Sequence, residues 1–467
     1  MADFDIDDRP LLFHGVRGNA VKILNRVERT DAYLDKLLEA EFRSSEINDL
    51  DKSLLNELVH GVLRWQMKLD WVLNGFFHGN FTKSEATVKN ALRIALYQIM
   101  FLDKIPHHAA VNEAVEFVKR IRGEKAGNLV NAVLRNILRN IDAIHYPDVT
   151  IDAVQYLAIM YSHPVWLVRR WVNRFGYAEA DKLLQANNRK PVLSLRINTM
   201  KTDVEAFLGH LSSQNIAFDR SRFLDNFVTT ANLSNLTQSE LFKQGYFSVQ
   251  DESAGIACKL LDPKPGERII DLCAAPGGKT AYIGEVLKNS GHIDAVDKYQ
   301  SRLSLVAKGC ERLGIENVTC HAADACTFEA GQADKVLLDA PCSGFGVLAK
   351  KPDIKLKRES KDIKQLTDLQ GELIDHAASL VKSGGALVYS TCTIEPEENF
   401  SVARTFLSNH PEFSIDSAKN YVHSSLVHND GYVETFPHRH GMDGSFSIRL
   451  IKDVEAIQSN TPIVEPS

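Results

Sequence analysis

The chain has 467 residues, of which 44% are hydrophobic and 24% are charged, and its formal net charge is −6. A globular protein of this length is expected to divide into roughly two to four domains. No run approaches the roughly 18 apolar residues of a membrane span, and the acidic start lacks the basic and apolar regions of a signal peptide, so the sequence predicts a soluble, cytoplasmic protein with no membrane partner.

Residues 1–145 are predicted to form an all-helical domain, because apolar residues recur at helical spacing with little strand-like alternation. One such face carries Val111, Ala114, Val115, Val118 and Ile121, and another carries Val130, Val133, Leu134 and Ile137. The polar faces of the last helices carry a local basic excess: Lys119, Arg120, Arg122, Lys125, Arg135 and Arg139 against Glu116 and Glu124. That excess is equally compatible with an RNA-binding surface and with a solvated face.

Residues 146–245 are predicted to form a small α+β module that binds RNA or links two larger domains. The run SHPVWLVRRWVNRFGY (162–177) is typical of an amphipathic helix, with three arginines and no acidic residue. LSLRINT (193–199) is predicted to be a strand, DVEAFLGHLSSQN (203–215) a helix, and 218–228 further extended chain.

Residues 246–453 are predicted to form a doubly wound α/β domain, a Rossmann-like fold with a mixed, mostly parallel seven-stranded sheet. Strand-like runs alternate with helical ones, beginning with RIIDL (268–272) and HIDAVD (292–297). SFSIRLI (445–451) is expected to be a late edge strand, and residues 454–467 a polar tail.

A small-residue loop follows the strand that ends at Leu272, and we expect it to hold a cofactor. Its residues are Cys273, Ala274, Ala275, Pro276, Gly277, Gly278 and Lys279. Small side chains let the backbone approach a ligand closely. The spacing is neither that of a dinucleotide loop nor that of a nucleoside-triphosphate loop, which leaves S-adenosylmethionine as the candidate.

Two aspartates at strand ends extend this predicted site. Asp297 lies about 20 residues beyond the glycines, where a carboxylate can accept hydrogen bonds from ribose hydroxyls. Asp324 is placed to meet an adenine amino group or a flanking backbone amide, although such an aspartate is more often a helix cap.

The chemistry is predicted from two cysteines, Cys342 in LLDAPCSGFG (337–346) and Cys392 in VYSTCTIEPEEN (388–399). Carbon 5 of a pyrimidine is a poor nucleophile, so its methylation needs a thiolate to add at carbon 6 first. A single strand-end cysteine is more often a small buried hydrophobe, but two in such settings favour covalent chemistry. The spacing does not rank one above the other.

Neighbouring residues are expected to assist that chemistry. Asp339 can hold ring nitrogen 3 and the exocyclic amine as charge builds on the base, and Lys279 can orient the base or pair with a carboxylate. The seven cysteines include no CxxC pair, so we expect reduced thiols and no metal site.

These motifs resemble the RNA (cytosine-5)-methyltransferases of the Sun type, in particular the RsmB group that acts on bacterial 16S ribosomal RNA. The resemblance rests on 249–280, 339–355, 389–399 and 437–446, and the helical head is similar to the RNA-binding NusB fold. Ser445, where the family usually has an aromatic, and DKYQSR after Asp297 depart from the pattern.

The resemblance implies that the loop from Cys273 to Lys279, with Asp297, Asp324 and Asp339, surrounds S-adenosylmethionine. It further implies that Cys392 is the nucleophile and that Cys342 assists release of the methylated RNA. The RNA is expected to contact the basic run after Cys342: Lys350, Lys351, Lys355, Lys357, Arg358, Lys361 and Lys364 against Asp353, Glu359 and Asp362. Such a run neutralises phosphates, unless it is only a solvated helix.

The substrate is therefore expected to be small-subunit ribosomal RNA, as free RNA or in an early precursor particle, bound by a monomeric enzyme. Transfer RNA is the nearest alternative substrate. A noncatalytic RNA-binding assembly factor is the alternative from another class, against which the intact motifs argue.

Overall fold

The computed structural model describes residues 13–30, 32–44, 47–231 and 233–454. The chain forms two compact units, the first comprising 1–190 with 348–360 and the second 191–347 with 361–467. The predicted polar tail after residue 454 lies outside the described residues. Among the described residues, no helix is both long and apolar enough to cross a membrane.

The first unit is all-helical, as the apolar spacings predict. Its helices are α1 (Gly15–Arg29), α2 (Leu34–Ser44), α3 (Asp49–Phe76), α4 (Ala86–Phe101), α5 (His107–Arg122), α6 (Glu124–Arg139), α7 (Ala153–Met160), α8 (Val165–Phe175) and α9 (Tyr177–Asn188), with the later α16 (Ile354–Lys357). Gly123, with φ +85°, ends α5 and starts α6, a conformation that glycine adopts without a Cβ penalty.

The predicted apolar faces of α5 and α6 form part of the core of the first unit. Val118, Val130, Leu134 and Ile137 have no exposed surface. Burial of an aliphatic side chain contributes about 1.5–3 kcal/mol to stability. The helical prediction for this region is therefore confirmed.

The second unit contains two sheets. Its strands are β1 (Leu193–Ile197), β2 (Asp219–Arg220), β3 (Phe227–Thr230), β4 (Phe247–Val249), β5 (Arg268–Leu272), β6 (His292–Asp297), β7 (Val318–Ala322), β8 (Ala333–Asp339), β9 (Val381–Thr391), β10 (Phe413–Ile415), β11 (Val433–Thr435) and β12 (Ser445–Lys452). Its helices are α10 (Val204–Ser213), α11 (Leu233–Gln238), α12 (Glu240–Lys243), α13 (Glu252–Leu261), α14 (Gly278–Leu287), α15 (Gln300–Leu313), α17 (Ser360–Ser379), α18 (Phe400–Asn409) and α19 (Pro437–His440).

The smaller sheet is antiparallel, in the order β2-β3-β1-β4. Its strand β1 and helix α10 confirm the strand and helix predicted at 193–199 and 203–215. Asp203 caps α10 by accepting a hydrogen bond from the Ala206 amide, which satisfies one of the unpaired donors at a helix start.

The larger sheet follows the order β10-β12-β9-β8-β5-β6-β7, with β11 paired to β12. Strands β9, β8, β5, β6 and β7 are parallel, whereas β12 is antiparallel to its neighbours. This confirms a Rossmann-like, mixed and mostly parallel sheet of seven strands in one path, to which β11 adds an eighth.

The expectation that SFSIRLI (445–451) is an edge strand is wrong. Strand β12 lies between β9 and β10, and both of its faces are buried. Its polar residues have partners inside: Ser447 donates to the Ser390 hydroxyl, and the Arg449 guanidinium donates to the Leu261 carbonyl. Polar alternation therefore marks internal hydrogen bonds here, not solvent.

Candidate active site

The four strands β5, β6, β8 and β9 end at one edge of the large sheet. They are parallel neighbours, with Leu272 paired to both Val296 and Leu338 and with Asp339 paired to Ser390. Parallel strands bring their carboxyl ends to the same edge, where open α/β sheets bind ligands. The predicted cofactor loop and both predicted cysteines therefore follow strands that end side by side.

The loop after β5 makes a tight turn into α14. Cys273 has φ +61° and Gly277 has φ +102°, and the Gly277 amide donates to the Ala274 carbonyl over 2.9 Å. A Cβ on Gly277 would lie 2.8 Å from the Val306 Cα. Glycine is therefore required at Gly277 both for the backbone conformation and for the approach of α15.

Asp297 ends β6 as a buried carboxylate with 2% exposure. Its Oδ1 accepts a hydrogen bond from the Tyr299 amide over 3.1 Å. Its Oδ2 lies 3.0 Å from the Arg302 guanidinium, yet among the described residues it accepts no well-aligned hydrogen bond. A buried carboxylate oxygen without a well-aligned donor can accept a hydrogen bond from a ribose hydroxyl of S-adenosylmethionine.

Arg302 was not singled out in the sequence. Besides facing Asp297, it donates to the Ala275 carbonyl over 2.8 Å. One guanidinium thus ties the small-residue loop to the carboxylate that follows the next strand. Its place on the first turn of α15 is the only signal that the sequence offers.

Asp324 follows β7 at the same edge of the sheet. Its Oδ1 accepts from the Cys326 amide over 3.0 Å, and its Oδ2 pairs with the Lys298 ammonium over 2.9 Å. The backbone hydrogen bond and then the Lys298 charge lower the pKa of Asp324. The carboxylate meets a flanking backbone amide, one of its two predicted partners, and the adenine contact stays a prediction.

Lys279 and Asp339 form an ion pair of 2.7 Å between the first turn of α14 and the end of β8. Burial alone would lower the pKa of Lys279, but the Asp339 carboxylate raises it above its ordinary value. The Cys392 sulfur adds to that effect. The predicted carboxylate partner of Lys279 is therefore Asp339, and the ammonium also interacts electrostatically with Cys258 and then with Cys392.

Cys342 and Cys392 meet with their Sγ atoms 3.3 Å apart. Cys392 is exposed and Cys342 is half-buried, and neither is in a disulfide bond. The hydrogen bond to Cys392, followed by burial, raises the pKa of Cys342 well above its ordinary value. The two thiols, which the spacing could not rank, therefore differ in exposure and in the raised pKa of Cys342, and either sulfur can donate the hydrogen bond between them.

Asp271 lies beneath this edge, in the motif that carries the loop. It is fully buried and accepts a hydrogen bond from the Thr280 hydroxyl over 2.6 Å. Burial raises the pKa of Asp271 to about 7. In the sequence, Asp271 is simply part of the predicted strand RIIDL (268–272).

The basic run after Cys342 includes a buried lysine. Residues 348–360 belong to the first unit, where Lys355 is 2% exposed and its ammonium donates to the Arg64 carbonyl over 2.8 Å. Lys357 donates to the Ala32 carbonyl over 2.6 Å. The prediction that Lys355 contacts phosphate is wrong, because its side chain is buried against α3. Lys361 and Lys364, in contrast, are exposed.

Three family descriptions match the chain. Residues 14–139 match the NusB family, 163–233 match an RsmF/B-like, ferredoxin-like domain, and 258–451 match the 16S rRNA methyltransferase RsmB/F. The last range includes the loop, both cysteines and the aspartates described above.

Similar proteins cover nearly the whole chain. A Bacillus subtilis protein named "Probable ribosomal RNA small subunit methyltransferase B" is 37% identical over 94% of this chain and 98% of its own length. The "Ribosomal RNA small subunit methyltransferase B" of Pectobacterium carotovorum is 33% identical over 94% of this chain and 99% of its own.

Solved structures agree with the fold. "Crystal Structure of PH0851" is 29% identical, with a TM-score of 0.78, over 93% of this chain and 98% of that one. "The crystal structure of NSun6 from Pyrococcus horikoshii with SFG" is 25% identical, with a TM-score of 0.56, over 62% of this chain and 98% of that one. The chain belongs to the ribosomal RNA small subunit methyltransferase B family, whose methyl transfer depends on S-adenosylmethionine.

Proposed function

We propose that this protein transfers a methyl group from S-adenosylmethionine to carbon 5 of a specific cytosine in small-subunit ribosomal RNA. The observation that carries the proposal is the pair of thiols 3.3 Å apart at the edge of the sheet that holds the cofactor loop. The names of the similar proteins support ribosomal RNA as the substrate.

Carbon 5 chemistry explains why two thiols are needed. A thiolate adds to carbon 6, and the resulting enamine makes carbon 5 nucleophilic. When bound, S-adenosylmethionine supplies an electrophilic methyl group. The carbon 5 proton must then leave and the carbon–sulfur bond must break, so the reaction needs a nucleophile and a group that assists release.

Cys392 is the nucleophile in this proposal. It is exposed, whereas Cys342 is half-buried, and its thiolate is stabilised by the Cys342 S–H and by the Lys279 ammonium. Positive charge and hydrogen-bond donors favour the thiolate form of a cysteine. Cys342 does not attack first, because its raised pKa favours the protonated thiol.

Cys342 assists release once the methyl group is on carbon 5. A Cys392 sulfur bonded to carbon 6 carries no charge. The two effects of the Cys392 thiolate that raise the pKa of Cys342, namely its hydrogen bond and its electrostatic repulsion of a second thiolate, are then lost. Cys342 can then lose its proton to solvent and accept the carbon 5 proton. The carbon–hydrogen electron pair re-forms the ring double bond, and the carbon–sulfur pair leaves on the Cys392 thiolate.

Asp339 is proposed to bind the cytosine. It lies beside both the cofactor loop and the cysteine loop, and Lys279 holds its Oδ2. A carboxylate placed there can accept a hydrogen bond from the exocyclic amine of the base, which fixes ring nitrogen 3 beside it. A proton must reach ring nitrogen 3 as negative charge builds on the base. Lys279 then orients Asp339 and supplies charge to Cys392.

The cofactor is proposed to lie against the loop from Cys273 to Lys279. Asp297 offers a buried acceptor to its ribose, and Asp339 ends β8 and Asp324 follows β7 at the same edge of the sheet. The RNA-binding roles of the regions 1–145 and 146–245 rest on the resemblance and on their exposed basic side chains. The target base must be unpaired or flipped to reach Cys392.

Incubation with methyl-labelled cofactor tests this function. The purified chain is mixed with small-subunit ribosomal RNA or, as the matched control, with transfer RNA, and the labelled nucleosides are identified after digestion. The proposal expects 5-methylcytidine from the ribosomal RNA. Label on another atom, or label in transfer RNA alone, would contradict it, and cofactor binding without methyl transfer to any RNA would favour an assembly factor.

A further inference from the structure

A buried carboxylate, Glu398, lies behind the two cysteines. It has no exposed surface. Its Oε1 accepts from the Ser343 amide over 2.7 Å and from the Gln370 side-chain amide over 3.1 Å. Its Oε2 accepts from the Ser343 hydroxyl.

This carboxylate is connected to the residue after each cysteine. Ser343 follows Cys342, and its hydroxyl also bonds to the hydroxyl of Thr393, which follows Cys392, over 2.8 Å. The Gln370 amide that reaches Glu398 donates as well to the carbonyl of Pro341 over 2.9 Å. The network therefore holds Cys342 from both sides and Cys392 from one.

Glu398 is itself held in place by its backbone. Its carbonyl accepts from the Tyr389 hydroxyl over 2.6 Å. The next residue, Asn399, bonds to the Thr391 hydroxyl over 2.6 Å and to the Thr393 carbonyl over 3.0 Å. Glu398 and the loop that carries Cys392 thus form one hydrogen-bonded unit.

Burial of a carboxyl group at this position costs folding free energy. Burial raises the pKa of Glu398 even though three hydrogen bonds favour its charged form. An apolar core would avoid that cost, because burying a polar group stabilises a fold only when its hydrogen bonds are complete. The network provides orientation instead, since two of the three bonds to Glu398 come from Ser343, next to Cys342. The third comes from Gln370, which also binds the carbonyl of Pro341 on the other side of Cys342.

We propose that Glu398 is a positioning residue that sets the separation of the two thiols by fixing Ser343 and Thr393. The proposal rests on the proposed function, in which the Cys342 S–H first stabilises the Cys392 thiolate and later assists release. Glu398 touches no reacting atom, so it acts through its hydrogen bonds. Loss of these bonds lowers kcat and leaves the binding of cofactor and RNA intact.

Three substitutions separate this role from a general contribution to the core. Glu398→Ala removes the acceptors. Glu398→Gln keeps an acceptor for the Ser343 amide and for Gln370, and its amide can donate to the Ser343 hydroxyl, which then donates to Thr393. Glu397→Gln changes the exposed neighbouring residue and is the matched control.

The direct measurement is the rate at which the thiol oxidant diamide couples Cys342 to Cys392, mapped by mass spectrometry on the folded protein without RNA. We expect Glu398→Ala to slow coupling about tenfold and to lower kcat by a similar factor, with cofactor Kd and RNA KM within about twofold of the wild type. Glu398→Gln and Glu397→Gln should stay within about threefold. If Glu398→Ala does not fold, Ser343→Ala, which removes the bridge to Thr393, decides by the same criteria.

Two results would overturn the proposal: wild-type coupling in the folded alanine variant, or a glutamine variant as impaired as alanine, which would assign the effect to charge. The coupling assay needs no methyl transfer. A wild-type protein that couples its thiols normally but makes no 5-methylcytidine would refute the proposed function and leave the positioning role standing.

Discussion

The Sγ atoms of Cys342 and Cys392 lie 3.3 Å apart, and this contact, together with burial, raises the pKa of the Cys342 thiol. The contact follows from the sheet, because β8 and β9 are parallel neighbours and each thiol comes shortly after its strand ends. It places the two sulfurs within hydrogen-bonding distance of each other. The proposed function makes Cys342 the hydrogen-bond donor and Cys392 the thiol that it activates.

Replacement of Lys279 by methionine should make Cys392 less reactive. The Lys279 ammonium interacts electrostatically with Cys392, and removal of a positive charge disfavours a thiolate. We expect the rate of Cys392 alkylation by iodoacetamide at pH 7 to fall about tenfold, a change of about 1.4 kcal/mol. Lys382→Met, which breaks the 2.7 Å ion pair with Asp334 near the amino ends of β8 and β9, is the control. Equal alkylation rates in both variants would remove Lys279 from this role.

Asp271 should make stability depend on pH. Its pKa is about 7 in the folded protein against an ordinary value of 3.8, so between about pH 4 and pH 7 the folded state holds a proton that the unfolded state has lost. Stability therefore falls as pH rises through this window and is lowest above it. The full cost is at most about 4 kcal/mol, at about 1.4 kcal/mol for each pH unit.

Urea denaturation of Asp271→Asn and the wild type, without cofactor, measures this effect. The variant should gain stability relative to the wild type as pH rises from about 4 to about 7, with no further gain above that range. A difference that stays constant with pH would show that Asp271 titrates normally.

Gly346 should not tolerate a side chain. A Cβ there would lie 1.9 Å from the Gly444 carbonyl oxygen and 2.8 Å from that of Cys392, so the loops carrying both cysteines would have to move. We expect Gly346→Ala to destabilise the protein by about 1–3 kcal/mol and to lower kcat. Gly371→Ala, on α17 with no atom within 4 Å of the added Cβ, should instead stabilise by about 0.5–1 kcal/mol. Thermal denaturation should show that Gly371→Ala is more stable than the wild type and that Gly346→Ala is less stable. Methyl-transfer assays should show the lower kcat of Gly346→Ala.

The two ends of the basic run should differ in their effect on RNA binding. Lys364 is exposed, whereas the Lys355 ammonium is buried against α3. If Lys364 contacts phosphate, Lys364→Ala should reduce the slope of log affinity against log salt by about 1. Lys355→Met should leave that slope unchanged, and a smaller slope for Lys355→Met would contradict the buried assignment.

The sequence predicts the cofactor loop and the cysteine motifs because both are local: a strand, a tight turn and a functional side chain within ten residues. It does not predict the burial of Lys355, since a basic run looks the same in solvent and against the interior of α3. Strand β12 misleads for a related reason, because its polar residues bond to Ser390 and Leu261.

The same limit applies to the network around the thiols. Glu398 lies in a motif that the sequence singles out, but its partners Ser343 and Gln370 are 55 and 28 residues away along the chain. The pairing of β8 with β9 brings the loop of Ser343 beside Glu398, and helix α17, between these two strands in the chain, brings Gln370. The division of labour between Cys342 and Cys392 likewise rests on exposure and on a hydrogen bond that spacing does not encode.

The measurement that tests the central claim most directly is the trapping of a covalent RNA adduct. Wild type, Cys342→Ala and Cys392→Ala are each incubated with small-subunit ribosomal RNA and S-adenosylmethionine, then separated on a denaturing gel with both components labelled. We expect Cys342→Ala to accumulate an RNA-linked band with the bond mapped to Cys392, and Cys392→Ala to give neither adduct nor 5-methylcytidine. An adduct on Cys342 in the Cys392→Ala variant, or full activity without Cys392, would contradict the assignment of the nucleophile.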